Sequence, residues 1–261
     1  MNFTSLRIRV FLLLTISLPV LSPAYAQEHY VQQNQAQENH NVARLVAWKP
    51  KPGMDREFQE GYKRHLEWHR KNGDTWTWHG WMLISGERDG TFLDGTFFHQ
   101  WTDLDAPVSP AEDGADNAVN VEPYAEVRSV ASYEAVSALS NLTPKHLNSP
   151  LLTFCYIEVA PGRAAQFEAR AAQELRELAA KVMPHAVLRP VNGTTEYLLL
   201  LPAEKLSELG SQAAFITRLL QSVASDPKYP AMLARFRTET ARHRLEMSYI
   251  PLEKPNSSSG K

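Results

Sequence analysis

One segment of this chain is written twice, and that repetition constrains the fold more than any other feature. Val42–Trp48 is a short apolar run, followed by Pro52-Gly53 and a helical stretch holding Phe58. Leu151–Ile157 is followed in the same way by Pro161-Gly162 and a helical stretch holding Phe167. One common offset carries Pro52 to Pro161, Gly53 to Gly162 and Phe58 to Phe167. A unit of strand, tight turn and amphipathic helix cannot bury its own apolar face, so a second copy supplies a natural partner.

The rest of each copy follows the same plan. In the second, Phe167, Ala171, Leu175, Leu178 and Val182 lie three or four residues apart between Arg163 and Val182, which makes one apolar helical face. Two hairpins follow the helices. Thr75–Ser85 and Thr91–Trp101 flank Glu87-Arg88-Asp89-Gly90, and His185–Val191 and Thr195–Leu201 flank Asn192-Gly193. Asp-Gly and Asn-Gly suit tight hairpin turns, where both central positions need positive φ. The second copy then predicts a helix over Ala203–Val223, another around Pro230–Arg237 and a last strand over about Ala241–Ile250. The first copy puts an acidic, Pro-broken stretch, Asp105–Pro123, where its second helix belongs, and reads there as at most briefly helical. Its last strand falls at about Ala125–Val136.

Each copy is thus β-α-β-β-α-β, the ferredoxin-like split βαβ order. The expected fold is α+β: two tandem ferredoxin-like repeats packed sheet to sheet as a pseudo-dimeric α/β barrel with helices outside. The repeats span 42–139 and 151–252, joined by a linker at 140–150. With its Pro-Gly after strand one, Phe58 and Phe167 in helix one and tandem element order, the chain resembles the dimeric α/β-barrel superfamily. Antibiotic-biosynthesis-type monooxygenases and NIPSNAP-like proteins belong there. The resemblance covers about Val42 to Pro251 and implies the barrel. The superfamily includes cofactor-independent oxygenases and haem-handling enzymes. The Asn-Trp-His set of the haem-degrading members has no counterpart here, so no catalytic residue is carried over and no cofactor is expected.

The N-terminus reads as an address. Arg7 and Arg9 precede the apolar run Val10–Leu21, and Ala24-Tyr25-Ala26 is a small-x-small cleavage site, so residues 1–26 are expected to be a signal peptide. The expected location is the periplasm or the exterior. Removing it takes away two arginines and no acid, so the mature chain is more acidic than the net charge of -2 for the whole. That balance excludes a basic nucleic-acid footprint. No transmembrane helix is expected after signal removal, and the mature chain is expected to be a monomer with an internal pseudo-two-fold. Residues 27–41 are Gln/Asn-rich and 253–261 form a Ser-rich tail, both expected to be disordered. Cys155 is the single cysteine, so no intramolecular disulfide forms, and its apolar run points to a buried thiol.

Chemistry is concentrated in the first copy. All six tryptophans lie there (Trp48, Trp68, Trp76, Trp78, Trp81 and Trp101), with His65, His69, His79 and His99. Strand alternation groups Arg44 with Trp48, His79 with Trp81, and Asp94 with Thr96, and Arg128 lies on the fourth strand. If the more polar faces look into the barrel, then Arg44, Trp48, His79, Trp81, Asp94 and Arg128 line a small-molecule pocket, with His79 or Asp94 as a base. The competing reading is a packed barrel in which Arg44, Asp94 and Arg128 simply pair. His65 and His69 stand one helical turn apart, a spacing that can share a metal, but a helix outside the barrel favours packing or hydrogen bonding. No metal site is therefore expected. On the alignment of the copies His69 points toward the sheet and His65 toward the rim. Glu112, Asp113 and Asp116 read as a solvated loop. The functional expectation is an exported small-molecule-binding barrel. A cofactor-independent monooxygenase-like enzyme and a non-catalytic envelope interaction protein with a solid barrel are the alternatives.

Overall fold

The computed structural model describes residues 41–178, 183–191, 193–228 and 231–251. The signal peptide, all but the last residue of the leader, the tail, Asn192 of the second hairpin turn and Val182 of the second helix lie outside them. The first half runs β1 (Val42–Pro50), α1 (Asp55–Lys71), β2 (His79–Ser85), β3 (Phe92–His99), α2 (Pro110–Asn120) and β4 (Ala125–Ala135). The second runs β5 (Leu151–Val159), α3 (Ala164–Leu178), β6 (Ala186–Pro190), β7 (Glu196–Ala203), α4 (Leu209–Ala224) and β8 (Leu233–His243).

All eight strands close into one antiparallel barrel in the order β1-β3-β2-β8-β5-β7-β6-β4. Within the first half the order is β4-β1-β3-β2, and within the second it is β8-β5-β7-β6, the same arrangement. Pairing of β2 with β8 and of β4 with β6 seals the ring. The turns that follow β1 and β5 also match: Gly53 and Gly162 both sit at φ +76°, a conformation that a side chain would strain. Phe58 and Phe167, each in the helix that follows, are both fully buried.

Three layers of core result. The lumen holds Leu45, Trp81, Leu83, Leu93, Phe154, Leu198 and Leu200, packed together. Outside the first half, α1 lays Phe58, Tyr62 and Leu66 on Val46, Trp48 and Phe92. Outside the second, Phe167, Leu175, Leu219 and Val223 cover Cys155, Ile157 and Leu199. Cys155 is a buried free thiol, and burial pushes its pKa up to about 12.

The structure corrects four expectations. Residues 110–120 form a real helix, not an acidic loop: Pro110 suits the first turn and Glu112 and Asp113 oppose its positive end. From Leu233 onward, the segment read as a helix around Pro230–Arg237 belongs to β8, because it pairs with β5 from Leu151↔Arg242 to Val159↔Leu233. The last strand therefore starts at Leu233 rather than Ala241, and Leu245–Met247 is a 3-10 turn. The linker is also part of the core, since Leu142 and Leu147 pack into the lumen cluster. Among the described residues, no helix is long and apolar enough to cross a membrane.

Candidate functional site

Two polar assemblies centred on the first half lie on opposite faces of the sheet. The inner one stands at the lumen end marked by the start of β2. His79 stacks on Trp81 with ring centroids 5.4 Å apart and planes at 24°. Phe97 meets both rings, and His243 of β8 lies 5.9 Å from His79. Both His79 and Trp81 are buried, yet His79 Nδ1 and Trp81 Nε1 have no hydrogen-bond partner. Burial, with a smaller push from His243, lowers the His79 pKa to about 4, so the ring is neutral at pH 7. The wall is half-open at Phe97 and Phe98, and Phe98 is held at φ +63°, a strained conformation for an aromatic residue.

Four sequence candidates stand elsewhere. Arg44, Trp48 and Asp94 share the outer face: Trp48 packs under α1, and Asp94 is buried beside Tyr62. The assumption that polar faces look inward fails here. The lumen takes the most apolar set, including Ala43, Leu45 and Ala47. Arg128 is exposed and pairs with Glu126 at 2.8 Å, on the part of β4 that β6 does not cover. His79 and Asp94 are no catalytic pair. His79 lies opposite Gly95 and Gly80 opposite Asp94, so their side chains leave opposite faces.

The outer assembly lies between α1, α2 and the sheet. His65 and His69 are both buried, because α2 covers the face that was expected to be a rim. His65 Nδ1 is 2.9 Å from Asp116 Oδ2, and Asn120 donates to the other oxygen of Asp116. His69 Nδ1 is 2.8 Å from Asp74 Oδ2 in a bent contact. Asp74 also accepts the Trp76 amide and the Trp78 indole N–H. Burial works to raise the Asp74 pKa, but these contacts outweigh it and hold the carboxyl below its ordinary value. Burial lowers the His65 pKa against the pull of Asp116. The two Nε2 atoms stand 3.1 Å apart, and Asp113 Oδ1 is 3.4 Å from one and 3.6 Å from the other. Beneath them Asp94 is fully enclosed. Burial pushes its pKa up to about 6, and its Oδ1 has no partner.

The sequence does not single out Asp74, and it places Asp113 and Asp116 in a solvated loop rather than at a site. A signal existed. Asp113 with Asn117, and Asp116 with Asn120, are i, i+4 pairs, the spacing of a helix with a polar face turned toward His65 and His69. Gly61 lets that helix in, since a Cβ there would overlap the carbonyl oxygen of Asn120.

No family model matches the sequence, and no curated protein matches it. Solved structures do. A candidate monooxygenase from Fusobacterium nucleatum is 10% identical, with a TM-score of 0.54 over 77% of this chain and 91% of that one. An anthrone oxidase-like protein is 12% identical, with a TM-score of 0.53 over 85% and 98%. A mutant chlorite dismutase from Candidatus Nitrospira defluvii, in complex with cyanide, is 8% identical, with a TM-score of 0.51 over 83% and 96%. These likenesses show a ferredoxin-like fold. The activities named for those proteins remain theirs.

Proposed function

We propose that this is an exported protein that binds a small planar molecule at the lumen end built by His79, Trp81, Phe97 and Phe98 of the first half and His243 of the second. The observation that carries the reading is the pair of buried, unpartnered nitrogens, His79 Nδ1 and Trp81 Nε1, on one aromatic wall. Buried polar groups are nearly always satisfied, so an orphaned pair points to a group that arrives from outside. The indole N–H needs an acceptor such as a phenol or quinone oxygen, and the rings offer faces for stacking. The halves are read as repeats of one unit about a pseudo-two-fold within a monomer. The matched strand orders and the matched Gly53 and Gly162 turns support this.

The test is a titration with phenols and quinones. Every tryptophan lies in the first half, so quenching of intrinsic fluorescence reports on it alone. His79→Ala is expected to abolish the quenching while the protein stays folded. Absence of quenching with any such compound favours the second reading, an envelope interaction protein with a solid barrel. The packing of Trp81, Leu83, Phe154 and Leu200 at 1% exposure or less supports that reading. Oxygen consumption with a quenching phenol turns the binding reading into the monooxygenase-like one. Export predicts that the purified mature chain begins at Gln27, and recovery of Met1 would contradict it.

A further inference from the structure

We propose that His65 Nε2, His69 Nε2 and Asp113 form a binding site for one divalent first-row transition metal ion. A carboxylate only accepts, so the ring nitrogen facing it must carry the proton. His65 Nδ1 bonds to Asp116 at 2.9 Å, whereas His69 Nδ1 lies 2.8 Å from Asp74 in a contact too bent for a hydrogen bond. In the neutral His65 ring, Nε2 is then left with a bare lone pair. It faces His69 Nε2 across 3.1 Å, and an oxygen of Asp113 lies 3.4 and 3.6 Å from the two. Three potential ligand atoms, from two buried histidines and one half-buried carboxylate, thus converge on one point.

The triangle has the size of a metal site. Ligands about 2.0–2.1 Å from a tetrahedral ion stand roughly 3.3 Å from one another. The three observed edges lie within a few tenths of an ångström of that value. Two histidines oriented by outer carboxylates, plus one direct carboxylate, is a donor set that suits zinc, cobalt or iron(II) rather than calcium or magnesium. Asp113 is about one-third exposed, at 34%, so an ion has a route in and a solvent-side position remains for a further ligand.

The second half shows what the same place holds when no ion is needed. The offset that carries Gly53 to Gly162 carries His65 to Glu174, and Glu174 meets Arg218 of α4 at 2.9 Å. There a guanidinium answers the carboxylate, whereas in the first half two imidazole nitrogens and a carboxylate meet with no Arg or Lys among them.

The test uses the mature protein stripped with a chelator and titrated with Zn(II) and Co(II). One ion per chain is expected, with the visible absorption of low-coordinate Co(II) and a melting temperature raised by Zn(II). Asp113→Asn, at a part-exposed position that leaves the fold intact, should weaken binding at least tenfold. Asp116→Asn should weaken it about 10–100-fold by freeing the His65 ring. Glu174→Gln should change nothing. Circular dichroism of each metal-free variant separates lost binding from lost folding. Zero stoichiometry for the folded wild-type chain would overturn the proposal, since the cluster would then hold only a proton. Unchanged affinity in a folded Asp113→Asn, or in a folded His65→Gln/His69→Gln variant, would overturn it equally.

Discussion

The two halves share a strand order and differ in what lies between helix and sheet. Over the second half, Phe167, Ala171 and Leu175 descend from α3 onto Tyr197 and Leu199, and the buried polar pair there, Thr153 and Gln212, is joined by its own hydrogen bond. Over the first, α1 presents Phe58, Tyr62 and Leu66 in the matching places, but interleaves His65 and His69. The lumen differs in the same sense. β6 faces it with Ala186 and Leu188, and β2 with His79 and Trp81. One scaffold therefore tolerates two interiors, and the contrast separates what the fold needs from what it does not. The phenylalanine on helix one and the glycine turn are needed twice. The histidines, tryptophans and aspartates are needed once, as groups kept for function would be.

The shared part should give the largest effects, and give them equally. Phe58→Ala and Phe167→Ala each remove a fully buried ring and are expected to cost about 3–5 kcal/mol by chemical denaturation. A large inequality between them would mean that the halves do not bear the fold alike.

The unshared lumen group shows itself in acid. Burial lowers the His79 pKa from 6.5 to about 4. Between those values the unfolded chain takes up a proton that the folded chain refuses, so stability falls as pH drops from 6.5 through 4. The loss reaches about 3 kcal/mol at the acid end. His79→Gln should flatten that part of the profile and leave stability near pH 8 almost unchanged. An acid limb of the same steepness in the variant would show that His79 is not buried in its neutral form.

Much of the architecture was legible in the residues. The offset that links Gly53 to Gly162 and Phe58 to Phe167 foretold the element order, because each position answers a local steric demand: positive φ in one case, full burial in the other. Strand facing was not legible. Alternation tells which residues share a face, but Arg44 and Trp48 fit either side until the barrel is seen to close around the apolar set. Asp113 and Asp116 were read as solvent-facing because Pro110 and the local acidity suggested a loop. Their helical spacing gains meaning only once α2 is laid across α1, a contact between segments far apart in the sequence. The β8 segment failed for a similar reason, since pairing with β5 decides it.

Glycine substitution sharpens the comparison at an intermediate scale. Gly61→Ala forces a methyl group against the carbonyl oxygen of Asn120, so α2 must shift away. A loss of about 1–3 kcal/mol is expected. Gly210→Ala in α4 meets no atom within 4 Å and should be neutral or stabilising by up to about 1 kcal/mol. Thermal melts of the two variants should move in opposite directions or, at the least, differ clearly. The smallest effect should come from Glu174→Gln. Its partner Arg218 is more than half exposed, and such pairs contribute about 0–1 kcal/mol.

Among the described residues, the common scaffold carries a His65–His69–Asp113 cluster in its first half and a Glu174–Arg218 pair in the matching place of the second. Histidine ¹⁵N NMR of the mature protein, recorded near neutral pH before and after one equivalent of Zn(II), tests that contrast most directly. His65 and His69 should show large shifts at Nε2 with protons retained at Nδ1. His185 of the second half, whose Nδ1 donates to Met183 O at 2.8 Å, should not move. His79 should remain a neutral ring throughout. A shift at His185 equal to those of the α1 pair, or no shift at either ring of that pair, would contradict the account.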